Sequence, residues 1–372
     1  MRILSLLTLL TFTSAASAGE LFVYAGASTR GDSSKGITLL KMDTATGALT
    51  IVGGVAEMAN PPFLALNPEG TRLYTTSESG KSAAAFKINK SSGALTKLNE
   101  LPVGDKPDEG ACHLCVVPGA RMLVTANYTS GSTTVFSLAE DGSLAARTGY
   151  IQHTGRSVDP GRQEAPHAHG AYPSPDGRHV LVNDLGTDRV YVYAMDAAAR
   201  TLKPKAVSEG VVKPGAGPRH SAFCGSVLYC LNELDFTITS FLWNAAKGSL
   251  TPGATVSTVP DDAPRAGLSS AEIFAHPNGK FLYASNRGHN SIACFAITDA
   301  AKGTLQRLAV TPAAVRIPRS FNITPDGKWL LTCGQDSSDI AVFSIATDGT
   351  LKPTPHRVEV GNPGCIVFLV KE

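Results

Sequence analysis

Several side chains able to bind anions and move protons interrupt otherwise apolar stretches of this 372-residue chain. His113, His167, His169, Arg219, His220, Glu272 and Arg319 stand where short apolar runs begin; Asn127, Asp184, Glu233, Arg287 and Gln335 stand where the following runs end. A charge buried without a partner costs on the order of several kcal/mol, so such residues are expected only where they neutralise one another or serve a ligand. Arg219, Arg287, Glu233 and His169 make a chemically sufficient set. Two guanidiniums can hold a carboxylate or phosphate by bidentate hydrogen bonds, while a carboxylate and an imidazole remain to exchange protons. His167, His220, Glu272, Arg319, Asn127 and Gln335 are expected to line the same site and contact the ligand. Asn127 and Asp184 also read as caps of the loops that follow them.

What could bring charges so far apart in sequence together is an architecture that repeats. The chain does repeat: segments 64–89, 114–138, 171–195, 221–243, 273–297 and 322–345 each contain an apolar strand, a turn, a second strand, a polar break and a third strand. The turn glycines Gly70, Gly119, Gly177, Gly225, Gly279 and Gly327 recur at steps of roughly fifty residues, the length of a four-stranded blade. Turns such as "SSGALT", "EDGSLA" and "AKGTLQ" then lead into a fourth, outer strand. No amphipathic helical stretch of useful length occurs. The spacing predicts an all-β fold, a seven-bladed β-propeller. Its seventh blade is split: residues 20–50 supply its second, third and fourth strands, and "GNPGCIVFLV" (361–370) supplies the first. Pairing the two closes the ring and removes exposed strand edges. In this geometry the start of each inner strand and the end of the next strand share one rim, which gathers the charged residues at the mouth of the central channel.

Composition narrows the partners. With 43% hydrophobic and 17% charged residues and a net charge of +2, the chain can bury a large core and has no basic excess for nucleic acid. Its first residues, "MRILSLLTLLTFTSAASAGE", have Arg2, an apolar run from Ile3 to about Phe12, and the small residues Ala16, Ser17 and Ala18. This reads as a cleavable signal peptide over 1–18, followed by a single propeller domain over 19–372 in a periplasmic or secreted protein. The apolar run is too short to span a membrane. A monomer without organic cofactor is expected.

Seven cysteines, an odd number, lie mostly inside apolar strands and read as buried free thiols. Cys112 and Cys115 have CxxC spacing, but no second pair follows at zinc-site spacing and no helix follows for a redox turn. His167 and His169 could supply two metal-ligand nitrogens, but the sequence shows no third or fourth, and no metal is expected. The signatures G-x-S-x-G, H-E-x-x-H and G-x-x-x-x-G-K-[ST] are absent.

The ordered set "PHAHGAYPSPDGRHVLVNDLGTDRVYVY", "GPRH", "NEL", "AEIFAHPNGKFLYASNRG", "PRSFNITPDGKWL" and "GNPGCIVF" resembles the seven-bladed propeller lactonase family, over essentially residues 20–370. That family includes 6-phosphogluconolactonases and muconate lactonizing enzymes. The resemblance implies catalytic roles for His169, Arg219, Glu233 and Arg287. It implies hydrolysis of a small anionic lactone, with Arg219 and Arg287 fixing the anion and polarising the carbonyl, and with Glu233 or His169 taking a proton from water. Two other readings stand beside it. The same groups suit cyclisation of an unsaturated dicarboxylate, and an exported propeller can serve as a binding scaffold whose loops, such as 153–166, meet a partner. Two features depart from the family pattern. The turn after "GPRH" shortens to "CGSV", and the leader sets the chain apart from a cytoplasmic sugar-phosphate enzyme.

Overall fold

The computed structural model describes residues 19–27, 36–77, 81–106 and 109–371; the leader read over 1–18 lies outside the described residues. Among those described there is no helix, and the strands form seven antiparallel sheets arranged as a propeller. Numbered by their inner strands, blades 1 to 7 begin with Leu64–Leu66, Ala111–Val117, Ala168–Pro173, Pro218–Cys224, Ser269–Ala275, Pro318–Ile323 and Pro363–Val370. Blade 7 is closed as the sequence predicts: Pro363–Val370 pairs with Glu20–Ala27, Val23 facing Phe368 and Ala25 facing Ile366.

The core is divided into seven apolar clusters, one between each pair of neighbouring blades. Blade 7 takes part in two of them, through Phe22, Tyr24 and Leu39 against Leu73 and Phe86 of blade 1, and through Val23 and Leu40 against Leu331 and Val342 of blade 6. Because both faces of the middle strands are covered, those strands read as continuous apolar runs rather than alternating ones. Outer strands behave oppositely. In Leu351–Glu359 exposed or half-buried side chains dominate, and Pro353 and Pro355 withhold donors from the free edge, which discourages pairing with another chain.

Hydrogen bonds sew neighbouring blades together at the turns. The hydroxyls of Tyr24, Tyr74 and Tyr283 donate to the carbonyls of Gly93, Gly142 and Gly349, each in the outer turn of the next blade. The six hairpin-turn glycines read from the sequence all have φ between 59° and 74°, a region that glycine enters at little cost. The short "CGSV" turn keeps its register, with Cys224 facing Val227 across Gly225 and Ser226.

Blade 3 departs from four strands. Its outer strand is broken into Thr201–Leu202 and Ser208–Val211, both paired with Arg189–Asp196. Pro204 lies in the gap, where it can donate no backbone hydrogen bond.

Candidate active site

A recurrent irregularity sets the mouth of the channel. Where each inner strand of blades 2 to 7 begins, its register with the second strand shifts. In blade 3, Ala168 faces Asp184 and Gly170 faces Asn183, which leaves His169 unpaired; in blade 4, Pro218 faces Asn232 and His220 faces Leu231, which leaves Arg219 unpaired. The residues so displaced are Cys112, His169, Arg219, Arg319 and Gly364, with Ala271 and Glu272 in blade 5. A β-bulge re-aims a side chain and is common beside active sites. Here it presents an imidazole and two guanidiniums at one level of the ring.

The second strands supply the other half. Counting by register, Asn127, Asp184, Asn232 and Asn286 are equivalent, and the residues after them are Tyr128, Leu185, Glu233 and Arg287. This corrects the expectation for Asn127. Its amide donates to Ser132 and Thr134 at 2.9 Å and its oxygen accepts from Thr125, so it is spent inside its own blade, as Asn232 is on Thr237 and Thr239. Tyr128 occupies the place facing the mouth. A shift of one residue moves a strand side chain to the other face, and the sequence alone did not show it.

Glu233 is the centre of the site. Its Oε2 lies 2.8 Å from Arg219 Nε, 3.0 Å from Arg287 Nη2 and 4.0 Å from His169 Nε2. Its Oε1 accepts a 2.7 Å hydrogen bond from Arg162 Nη2, which also donates to Tyr128 Oη at 3.2 Å. Burial pushes the Glu233 carboxyl up, but Arg287, Arg219 and Arg162 outweigh burial and hold its pKa at about 2. Three guanidiniums around one carboxylate leave an excess of two positive charges. Burial, reinforced by Arg219, His220 and Arg319, pushes His169 well below the ordinary histidine range, so its ring is neutral. Its Nδ1 lies 3.7 Å from Cys112 Sγ, and its ring meets Tyr128 edge-on.

Arg219 is not positioned to touch a ligand. Its side chain is 2% exposed, its Nη1 donates to the Ala271 carbonyl, and the same nitrogen lies 3.2 Å from His220 Nε2. His220 and Glu272, expected as ligand contacts, instead stand behind Arg219. His220 Nδ1 is 2.7 Å from Glu272 Oε1, and Glu272 is also bonded by the Ile273 amide and the Ser320 hydroxyl. The arrangement assigns the imidazole proton to Nδ1, leaving Nε2 to accept from Arg219. Burial pushes the Glu272 carboxyl up to about 7 despite Arg219 nearby.

The remaining residues divide. His167 is taken up by the wall: its Nδ1 is 2.9 Å from the Tyr128 carbonyl oxygen, and its ring stacks on Tyr128. His167 lies just before the inner strand, which begins at Ala168, so the strand alternation assumed for a His167–His169 pair does not apply, and among the described residues no three His, Cys, Asp or Glu side chains converge as metal ligands. Arg319 is half-buried on its bulge and is felt electrostatically by His169, Arg219 and Arg287. Gln335 is half-buried on the same rim, and its backbone N–H donates to the Ile317 carbonyl. All seven cysteines are free thiols, and six are buried. A cavity of roughly 480 Å³ opens at the other end of the channel, lined by Phe63, Phe223 and Phe274, with His113, Tyr172 and Glu272 on its walls.

Arg162 escaped the sequence reading because it sits on the long loop 153–166, outside any strand. The loop folds over the rim: His153 Nδ1 lies 2.6 Å from Asp184, Gln163 donates to the Leu185 carbonyl and to Asp188, and Asp159 accepts from the amides of Gly161 and Arg162. The signal available was its unusual length.

The fold is a closed seven-bladed ring, and one end of its channel gathers a buried carboxylate, three arginines and a histidine. Residues 22–368 match the family described as lactonase, 7-bladed beta-propeller, and the chain belongs to that family. It is 34% identical over 352 residues to the 6-phosphogluconolactonase of Bacillus subtilis, covering 93% of this chain and 97% of the relative. It is also 31% identical to the 6-phosphogluconolactonase of Formosa agariphila, over 87% of this chain and 93% of the relative. Among solved structures, the periplasmic gluconolactonase of Pseudomonas aeruginosa superposes with a TM-score of 0.87 at 28% identity, covering 95% of this chain and 100% of that one.

Proposed function

We propose that this protein hydrolyses small sugar lactones that carry an anionic group, at the arginine-lined mouth of the channel. The observation that carries this reading is the Glu233 cluster: one buried carboxylate among three guanidiniums, two of which, Arg162 and Arg287, keep part of their surface open. Such a site attracts an anion and polarises a carbonyl as negative charge develops on its oxygen. Arg287 and Arg319 hold the substrate, and Arg219 fixes the Glu233 carboxylate from behind. Glu233 and His169 supply the proton acceptor for the attacking water, which returns the proton to the leaving hydroxyl as the ring opens.

The family relatives named as 6-phosphogluconolactonases support a phosphorylated aldonolactone as substrate, and the neighbour named as a periplasmic gluconolactonase supports an unphosphorylated one and an exported enzyme. A leader over residues 1–18 agrees with export. The test is a pH-stat assay of the chain from Gly19 against 6-phosphogluconolactone and glucono-δ-lactone, corrected for spontaneous hydrolysis, with Arg287→Gln as control. Acceleration that the variant loses supports the reading; no acceleration on either lactone overturns it.

A further inference from the structure

The two oxygens of Glu233 are held very differently. Oε2 is ion-paired from the buried side with Arg219 and Arg287, which belong to strands of blades 4 and 5. Oε1 is covered by Arg162 alone among the described residues, through one 2.7 Å bond. Arg162 is also the accessible member of the three, its side chain 40% exposed against 2% for Arg219 and 15% for Arg287. Its backbone amide donates to the Asp159 carboxylate, and its neighbour Gln163 donates to Asp188, which anchors the loop beneath the side chain. It is a partly exposed guanidinium seated on Oε1 of a carboxylate that is itself only 4% exposed.

We infer that Arg162 is a gate operated by the substrate: the remote anionic group of the lactone draws its guanidinium away from Glu233, and the uncovered Oε1 becomes the general base. The inference rests on the lactonase reading above. A phosphate or carboxylate offers Arg162 a bidentate partner, which its single bond to Oε1 does not match. Removing one of three cations from Glu233 then raises its affinity for a proton, while Arg219 and Arg287 keep its plane in place. The chemical step balances. A water proton passes to Oε1 as the water oxygen bonds to the lactone carbonyl carbon; the ring C–O bond breaks, and the leaving oxygen takes the proton back. A neutral lactone has no group with which to open the gate and reacts with Glu233 still covered.

The experiment compares 6-phosphogluconolactone with glucono-δ-lactone in the wild-type chain, in Arg162→Gln and in Arg162→Lys, with pH–rate profiles for each. The expected result is a selectivity switch. Arg162→Gln lowers kcat/KM for the phosphorylated lactone at least tenfold and raises it several-fold for the neutral one, and moves the acid limb of the neutral-lactone profile to higher pH. In the wild type, inorganic phosphate accelerates hydrolysis of the neutral lactone, and Arg162→Gln abolishes that acceleration. Arg162→Lys, which keeps the charge without the bidentate fork, falls between. Equal losses on both lactones, with no displacement of the acid limb, would make Arg162 a plain binding or structural residue and overturn the gate alone. A wild type inert toward both lactones overturns the lactonase reading and the gate with it.

Discussion

Replacing Glu233 by Gln tests the centre of the site through stability as well as turnover. The carboxylate keeps two buried guanidiniums paired, and its loss leaves Arg219, almost fully buried, without the counter-charge at 2.8 Å. Removing one partner of a buried ion pair costs roughly 3–5 kcal/mol. The pKa gives an independent figure: holding the carboxyl at about 2 instead of 4.5 corresponds to roughly 3 kcal/mol in favour of the ionised folded state. Because the folded pKa is the lower one, this contribution is present above pH 4.5 and is lost as the pH falls toward 2. Urea unfolding of the wild type and Glu233→Gln at pH 7, 5 and 3.5 reads it directly. The variant is expected to be less stable by roughly 3 kcal/mol at pH 7 and 5, and the gap is expected to narrow by roughly 1 kcal/mol at pH 3.5. Lactone turnover falls with it at every pH. A variant as stable as the wild type, with a gap that ignores pH, would refute the claim that Glu233 is an ionised anchor for these arginines.

Glu272 has the opposite sign. Its folded pKa of about 7 lies above 4.5, so its contribution is fully present below pH 4.5 and is lost as the pH rises through 7, a change of roughly 3 kcal/mol. Unfolding curves should therefore show Glu272→Gln gaining on the wild type between pH 5 and pH 8. Gly170→Ala would place a methyl 2.8 Å from the Arg219 carbonyl oxygen and from the Tyr172 ring. The clash displaces the strand that bears Arg219, with an expected loss of about 1–3 kcal/mol in thermal or urea unfolding and a drop in kcat. Ending the chain at Asn362 removes the inner strand of blade 7 and bares the edge of Glu20–Ala27. Size-exclusion chromatography and circular dichroism should then show an aggregated or unfolded chain.

Much of this protein was determined by sequence alone, because a propeller repeats its signals. Six glycine turns in step, apolar strands of near-constant length and complementary half-blades at the two ends leave little choice of architecture, and the rule that inner-strand starts and second-strand ends share a rim already brought His169, Arg219, Glu233 and Arg287 to one mouth. What the sequence could not determine was anything that turns on a single residue of register or on the path of a loop. Alternation does not reveal a bulge, since its place depends on which backbone groups of the second strand are paired; the bulges lift His169 and Arg219 out of the ladder. The same one-residue question separates Asn127, spent inside its blade, from Tyr128 at the mouth. Burial turned Arg219, His220 and Glu272 from ligand contacts into the wall behind Glu233. Arg162 reached the site only because Asp184 and Asp188 pin a distant loop across the rim, a long-range contact that local sequence does not encode.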